Sequence, residues 1–239
     1  MRGVRSLARR PSFSTAGAAT SRTYTSLTRV SVGDALLAQL ERVAHRVTTN
    51  ASILDRHGDD ESHHPSVPPS AVVYAHSTEE VSAVVRLCAE TRTPLISFGT
   101  GTSLEGHIQA VHGGVCLDLS EMNSILEVNA ADMDCRVQAG VTRKSLNSHL
   151  RETGLHFPVD PGADASLGGM VACGASGTST VRYGTMRENT LGLTAVRELM
   201  ASDCNRMASG DVSLRSYLGP CVRRSGAHRR ARAQILRRV

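Results

Sequence analysis

Between Gly162 and Gly177 the chain reads GADASLGGMVACGASG, and nine of these sixteen residues are Gly or Ala. A stretch so poor in side chains cannot build its own core. It either packs tightly against another element or leaves its backbone open for a flat ring or a phosphate to approach. Asp164 is its only charge. The segment follows Phe157-Pro-Val-Asp-Pro161 and leads into TSTVRYGTMRENTLGL.

A second glycine-rich stretch lies upstream, in PLISFGTGTSLEGH, residues 94 to 107. It reads as a short strand emptying into a loop of Gly and Thr. Such a loop can turn several backbone N–H groups toward one point and so receive an anion such as a pyrophosphate. It can also be an ordinary turn between strands. Gly99, Gly101 and Gly106 do not have G-x-G-x-x-G spacing, and no Lys follows as a Walker loop requires, so neither a Rossmann dinucleotide site nor a P-loop fits.

Around these segments the periodicity is mixed. Leu36, Leu37, Leu40, Val43, Ala44 and Val47 have helical spacing behind Asp34, which predicts a leading helix within 34–54. Residues 55–70, polar and closed by Pro65, Pro68 and Pro69, read as an extended loop. Next come a strand at 71–75, a helix capped by Ser77 with Val81, Val84, Val85 and Cys88 on one face, and strands at 95–98 and 115–119. Residues 125–128 and 135–138 suggest a pair of strands in a second, more antiparallel layer. Thr142 is placed to cap a helix that carries Leu146 and Leu150 and stops at Gly154.

Composition narrows the function classes. The chain of 239 residues is 40% hydrophobic, and no apolar run approaches the roughly 20 residues of a membrane span. Lys144 is the only lysine and the arginines gather at the two ends, so the net charge of +5 is weak support for a nucleic-acid partner, and none is expected. The six cysteines include no C-x-x-C pair, which predicts free thiols rather than zinc ligands or disulfides. His57, His63 and His64 stand near Asp59, Asp60 and Glu61, but adjacent histidines on an extended loop point apart, so no metal site is expected there. The first 33 residues carry Arg2, Arg5, Arg9, Arg10, Arg22 and Arg29, many Ser and Thr, and no acid before Asp34. This is the composition of a mitochondrial transit peptide.

The runs FGTGTSLEGH, MNSILEVNAADMDCRVQAGVTRKSLN, GLHFPVDPGADASLGGMVACGASGT and VRYGTMRENTLGLT together resemble the FAD-binding domain of the D-lactate dehydrogenase (cytochrome) and glycolate oxidase subunit group. The similarity covers about residues 55–195. It implies an α+β fold of the p-cresol methylhydroxylase type, with FAD between two subdomains and the chain incomplete at its C-terminal end. By the same resemblance, cofactor contacts fall on Phe98, Gly99, Thr100, Gly101, Thr102, Ser103, Gly106 and His107, then on Gly140 and Val141. Further contacts fall on Pro161, Gly162, Ala163, Ser166, Gly168, Gly169, Ala172, Ser176 and Gly177. Some relatives attach FAD covalently through a histidine where this chain places Thr102, which implies non-covalent FAD here.

The implied activity is oxidation of a D-2-hydroxy acid, foremost D-lactate to pyruvate, with hydride going to the flavin and electrons to cytochrome c or another acceptor. The alternative is a non-catalytic flavin-binding fragment. The group's catalytic and metal-binding histidines lie further along than this chain reaches, so no catalytic residue is assigned and the chain alone is expected to be inactive. Residues 195–239 carry ten arginines against three acids and depart from the family pattern. Three readings of that tail stand: an altered reading frame or retained intron, a basic tail for nucleic acid or acidic membrane, and a solvated helix. The first, a gene-model artefact or disordered tail, is preferred. The expected division is thus 1–33 transit peptide, 34–54 leading helix, 55–194 partial FAD-binding domain and 195–239 tail.

Overall fold

The computed structural model describes residues 29–196, 211–215 and 217–218. The expected transit peptide, up to residue 28, and most of the expected tail lie outside the described residues.

The first layer is a four-stranded sheet in the order β1-β2-β4-β3, built from β1 (Arg46–Thr48), β2 (Ala71–Tyr74), β3 (Leu95–Phe98) and β4 (Val115–Asp118). Strands β2, β4 and β3 run parallel, and β1 is an antiparallel edge. Every residue of β2 and β4 is buried, as expected of parallel strands covered on both faces. Val73, Val115 and Leu117 pack toward α1 (Asp34–Val43) and α3 (Thr78–Glu90), meeting Leu36, Leu40, Val81, Val84 and Cys88. Val72 and Cys116 point the other way, to Ile53 and Leu54 of α2 (Ala51–His57) and to Phe98.

The second layer is antiparallel, in the order β5-β6-β9-β8, from β5 (Ile125–Asn129), β6 (Asp134–Gln138), β8 (Thr190–Leu193) and β9 (Asp211–Arg215). Cys135 and Val137 face inward onto Leu146 and Leu150 of α4 (Arg143–Leu150) and onto Phe157, Leu167, Met170 and Met186, while Arg136 between them is exposed. A two-residue strand, β7 (Leu155–His156), pairs with β10 (Tyr217–Leu218).

Local signals account for many boundaries. Ser77 Oγ accepts the Glu80 amide, Thr142 Oγ1 accepts the Ser145 amide, and Gly154 takes φ 72° where the helical run stops. Three expectations need correction. The helix expected within 34–54 is two helices, because Ala44 is already extended and Arg46–Thr48 pairs with β2 before Asn50 caps α2. Asp34 is not the cap of α1; Gly33 occupies that position and Asp34 sits in the first turn. Residues 211–215, inside the expected tail, form a central strand of the second sheet, and their sequence DVSLR has the polar–apolar alternation of a strand, which the surrounding arginines obscure.

Candidate flavin site

Strand β3 ends at Phe98, at the carboxyl edge of the parallel sheet, and the glycine loop leaves from there. In open α/β sheets this edge is where ligands bind. The Phe98 ring lies 4.4 Å from the ring of His57, which is itself fixed. His57 Nδ1 is 2.7 Å from the Ile53 carbonyl and Nε2 is 2.9 Å from Asp118 Oδ2. Both ring nitrogens thus have a protein partner. His57 and Asp118 are both buried, and Asp118 Oδ1 also accepts the Ser120 amide. The floor beneath the loop is therefore a rigid polar pair.

The polar loop after α2 holds the glycine loop from one side. Asp60 Oδ2 accepts the Gly106 amide and the Glu61 amide donates to the Ser103 carbonyl. The His64 ring lies against Gly106, where a Cβ would come within 2.6 Å of it. His63 and His64 do not point apart as expected: their rings lie side by side with centroids 4.2 Å apart and planes tilted by 36°. Among the described residues, the backbone amides of Gly99 to Leu104 donate to no protein acceptor. Gly101 in their midst has φ +67°, so the run can curl into an anion-binding nest.

The opposite wall is the Gly/Ala segment. A Cβ at Gly99 would run into Ser166 Oγ, so the two glycine-rich stretches touch. Helix α5 (Leu167–Ala172) is pinned at its start, with the Leu167 amide on the Val141 carbonyl and the Gly168 amide on the Ala139 carbonyl, both at 2.8 Å. Those two donors are spent on protein, unlike the Gly99–Leu104 amides across the cleft. Asp160 fastens the far end of the segment, accepting from Thr178 Oγ1 at 2.6 Å and from the Ser179 amide at 3.2 Å. The Thr178 bond holds the Asp160 carboxyl below its ordinary range.

Between these walls lies a cavity of about 1590 Å³, larger than the roughly 300–1,000 Å³ of a pocket for a drug-sized ligand and suited to an extended dinucleotide. Of the residues singled out from the sequence, Phe98 to Ser103, His107, Pro161 to Ala163, Ser166, Gly168, Gly169, Ala172 and Ser176 line it. Four do not. Gly106 is packed on His64, and Gly177 faces Asp160. A Cβ at Gly140 would meet the carbonyls of Leu119 and Met122, and Val141 is a core residue. Their small size or burial serves chain packing. Sequence reasoning missed the wall given by Val81, Val85 and Cys88 of α3 and by Leu119, Met122 and Ala139. It also missed the contact of Cys173 Sγ with His107 Nε2 at 3.7 Å, while His107 Nδ1 meets Ser103 Oγ at 3.2 Å. Burial pushes the Cys88 thiol up to about 11, and Cys116 higher still, whereas Cys173 is exposed to the cleft.

These features have counterparts in known proteins. Residues 69–198 match the family described as FAD binding domain. The chain is 55% identical over 150 residues to a Danio rerio protein named probable D-lactate dehydrogenase, mitochondrial, covering 63% of this chain and 30% of that one. It is 42% identical over 164 residues to D-lactate dehydrogenase [cytochrome], mitochondrial, of Arabidopsis thaliana, covering 67% and 29%. The chain thus spans less than a third of the length of these curated relatives. Among solved structures, alkyldihydroxyacetonephosphate synthase superposes with TM-score 0.71 at 20% identity, covering 82% of this chain and 46% of that one. p-Cresol methylhydroxylase superposes with TM-score 0.67 at 18% identity, covering 82% and 46%. The fold is the two-layer FAD-binding fold of that group.

Proposed function

The chain belongs to the FAD binding domain family, and from that premise we propose that it is the flavin-binding part of an FAD-dependent D-2-hydroxy-acid dehydrogenase that converts D-lactate to pyruvate, with cytochrome c as electron acceptor. The observation that carries the flavin reading is the run from Gly99 to Leu104, whose amides have no protein acceptor among the described residues and which lines a cleft whose far wall is nearly bare of side chains. When bound, FAD supplies the electron sink for oxidation of the hydroxy acid to a 2-oxo acid.

The protein's own residues bind and orient it. Amides of the glycine loop receive the pyrophosphate, and Pro161 to Ala163 with Gly169 and Ala172 let the rest of the dinucleotide approach the backbone. Thr102, hydrogen-bonded to Thr100 Oγ1 at 3.1 Å, stands where some relatives carry a flavin-linking histidine and has no imidazole for that bond, which supports a non-covalent cofactor. The substrate is supported by the names of the longer relatives. Mitochondrial import is supported by the same names and by the arginine-rich, acid-free start of the chain.

The test is reconstitution: the purified chain is mixed with FAD, desalted and denatured with acid. Stoichiometric flavin that co-elutes with protein and is released to the supernatant is expected. Failure of a folded chain, verified by circular dichroism, to retain flavin overturns the reading. Flavin left in the acid pellet overturns non-covalent attachment.

A further inference from the structure

Away from the glycine loop, three chain segments bring ligand-bearing side chains together. His45 immediately precedes β1, His76 follows β2 by two residues and Glu121 follows β4 by three. One nitrogen from each histidine and one Glu121 oxygen lie within 4.8 Å of one another. We propose that His45, His76 and Glu121 form a binding site for a divalent first-row transition ion, zinc being the natural occupant.

The geometry suits a shared ion better than a simple ion pair. His76 Nε2 is 3.2 Å from Glu121 Oε2, yet that oxygen is shielded from solvent and has no aligned hydrogen bond. Two ligands of one tetrahedral zinc, each about 2.0–2.2 Å from the metal, stand about 3.3 Å apart with lone pairs aimed at a third point. The His45 and His76 rings meet edge to face with centroids 3.9 Å apart, and both are exposed, so modest rotation brings their nitrogens to the ion.

The surroundings are prepared for a cation. Glu80 Oε2 accepts the backbone amides of both His45, at 3.3 Å, and His76, at 3.1 Å, so one carboxylate fixes the two histidine backbones. Arg46 takes the other Glu121 oxygen, Oε1, at 2.7 Å and lies over the Tyr74 ring, which leaves Oε2 to the metal. Two carboxylates, one guanidinium and two neutral imidazoles carry a net charge of −1 toward a divalent ion. Imidazole and carboxylate donors select zinc, copper or nickel over magnesium or calcium.

An ion here staples the β1 edge to the turn after β4. That turn also carries Leu119 and Met122, which line the flavin cleft. The site does not depend on flavin binding and is tested without it.

The experiment is isothermal titration of the metal-stripped full chain with zinc chloride, in a Cys173→Ser background that removes the one thiol exposed among the described residues. Binding of one zinc per chain is expected, with His45→Gln or His76→Gln weakening it about 100-fold, while His63→Gln leaves it unchanged. Zinc should also raise Tm in the parent and not in the two variants. All variants change exposed side chains, and circular dichroism verifies their fold. No binding by the parent, or equal affinity in parent and His76→Gln, overturns the site and leaves an Arg–Glu–His ion-pair cluster.

Discussion

Replacing Gly101 by Val puts a branched side chain at φ +67°, where its Cβ would stand 3.0 Å from Phe98 Cζ. Residues other than glycine at such φ cost about 1–3 kcal/mol, and more when β-branched. Phe98 cannot yield easily, because its other side packs on His57, which is held by Ile53 and Asp118. The loop must therefore give, and its amides turn away from their common point. Losing two hydrogen bonds to a charged pyrophosphate, at about 1.5–3 kcal/mol each, removes about 3–6 kcal/mol of binding, or two to four powers of ten in Kd. The assay is FAD titration by flavin fluorescence, well below the Tm of each variant, with Arg86→Ala on the exposed side of α3 as the control. A folded Gly101→Val protein that binds FAD as tightly as this control refutes the assignment of the pyrophosphate to the loop.

Removing the buried partner of Asp118 by His57→Ala should destabilise the fold by about 3–5 kcal/mol, read as a fall in Tm of roughly 6–20 °C; an unchanged Tm would refute the structural role of the pair. Iodoacetamide should modify Cys173 ahead of the buried Cys88, Cys116 and Cys135, whose environments disfavour the thiolate or access, and FAD should protect it; mass spectrometry of tryptic peptides reads both effects. Because the folded Asp160 carboxyl lies below its ordinary 3.8, its stabilising bonds to Thr178 and Ser179 are present above that pH and are lost as pH falls through the folded value. Asp160→Asn should therefore flatten the loss of Tm on acidification below about pH 4 relative to the parent, and parallel curves for the two proteins would exclude the role.

What could be read from the sequence was local. Ser77, Thr142 and Gly154 act on amides and dihedrals within four residues of themselves, so their signals survive without a tertiary context. Both glycine-rich segments announced a need for bare backbone, and most of their residues do line the cleft. The sequence could not tell which neighbour each glycine serves: Gly106 answers to His64, Gly177 to Asp160 and Gly140 to three carbonyls, all distant along the chain. The break in the helix expected within 34–54 was hidden for the same reason, since Arg46–Thr48 becomes a strand only through its pairing with residues 72–74. Likewise, 61 residues separate His57 from Asp118, and no pattern in the sequence joins them.

The place of β9 in the second sheet has a consequence for how the protein is made. All four strands of the first sheet lie between residues 46 and 118, so that layer can close while the remainder is still being synthesised. In the second sheet β6 and β8 are not neighbours; β9 separates them, and its five residues begin at 211. Until that strand emerges, β6 and β8 each present an unpaired edge, the condition in which strands recruit wrong partners. Vectorial synthesis thus yields a finished half and a waiting half. The cleft draws a wall from each layer, so its full shape requires both.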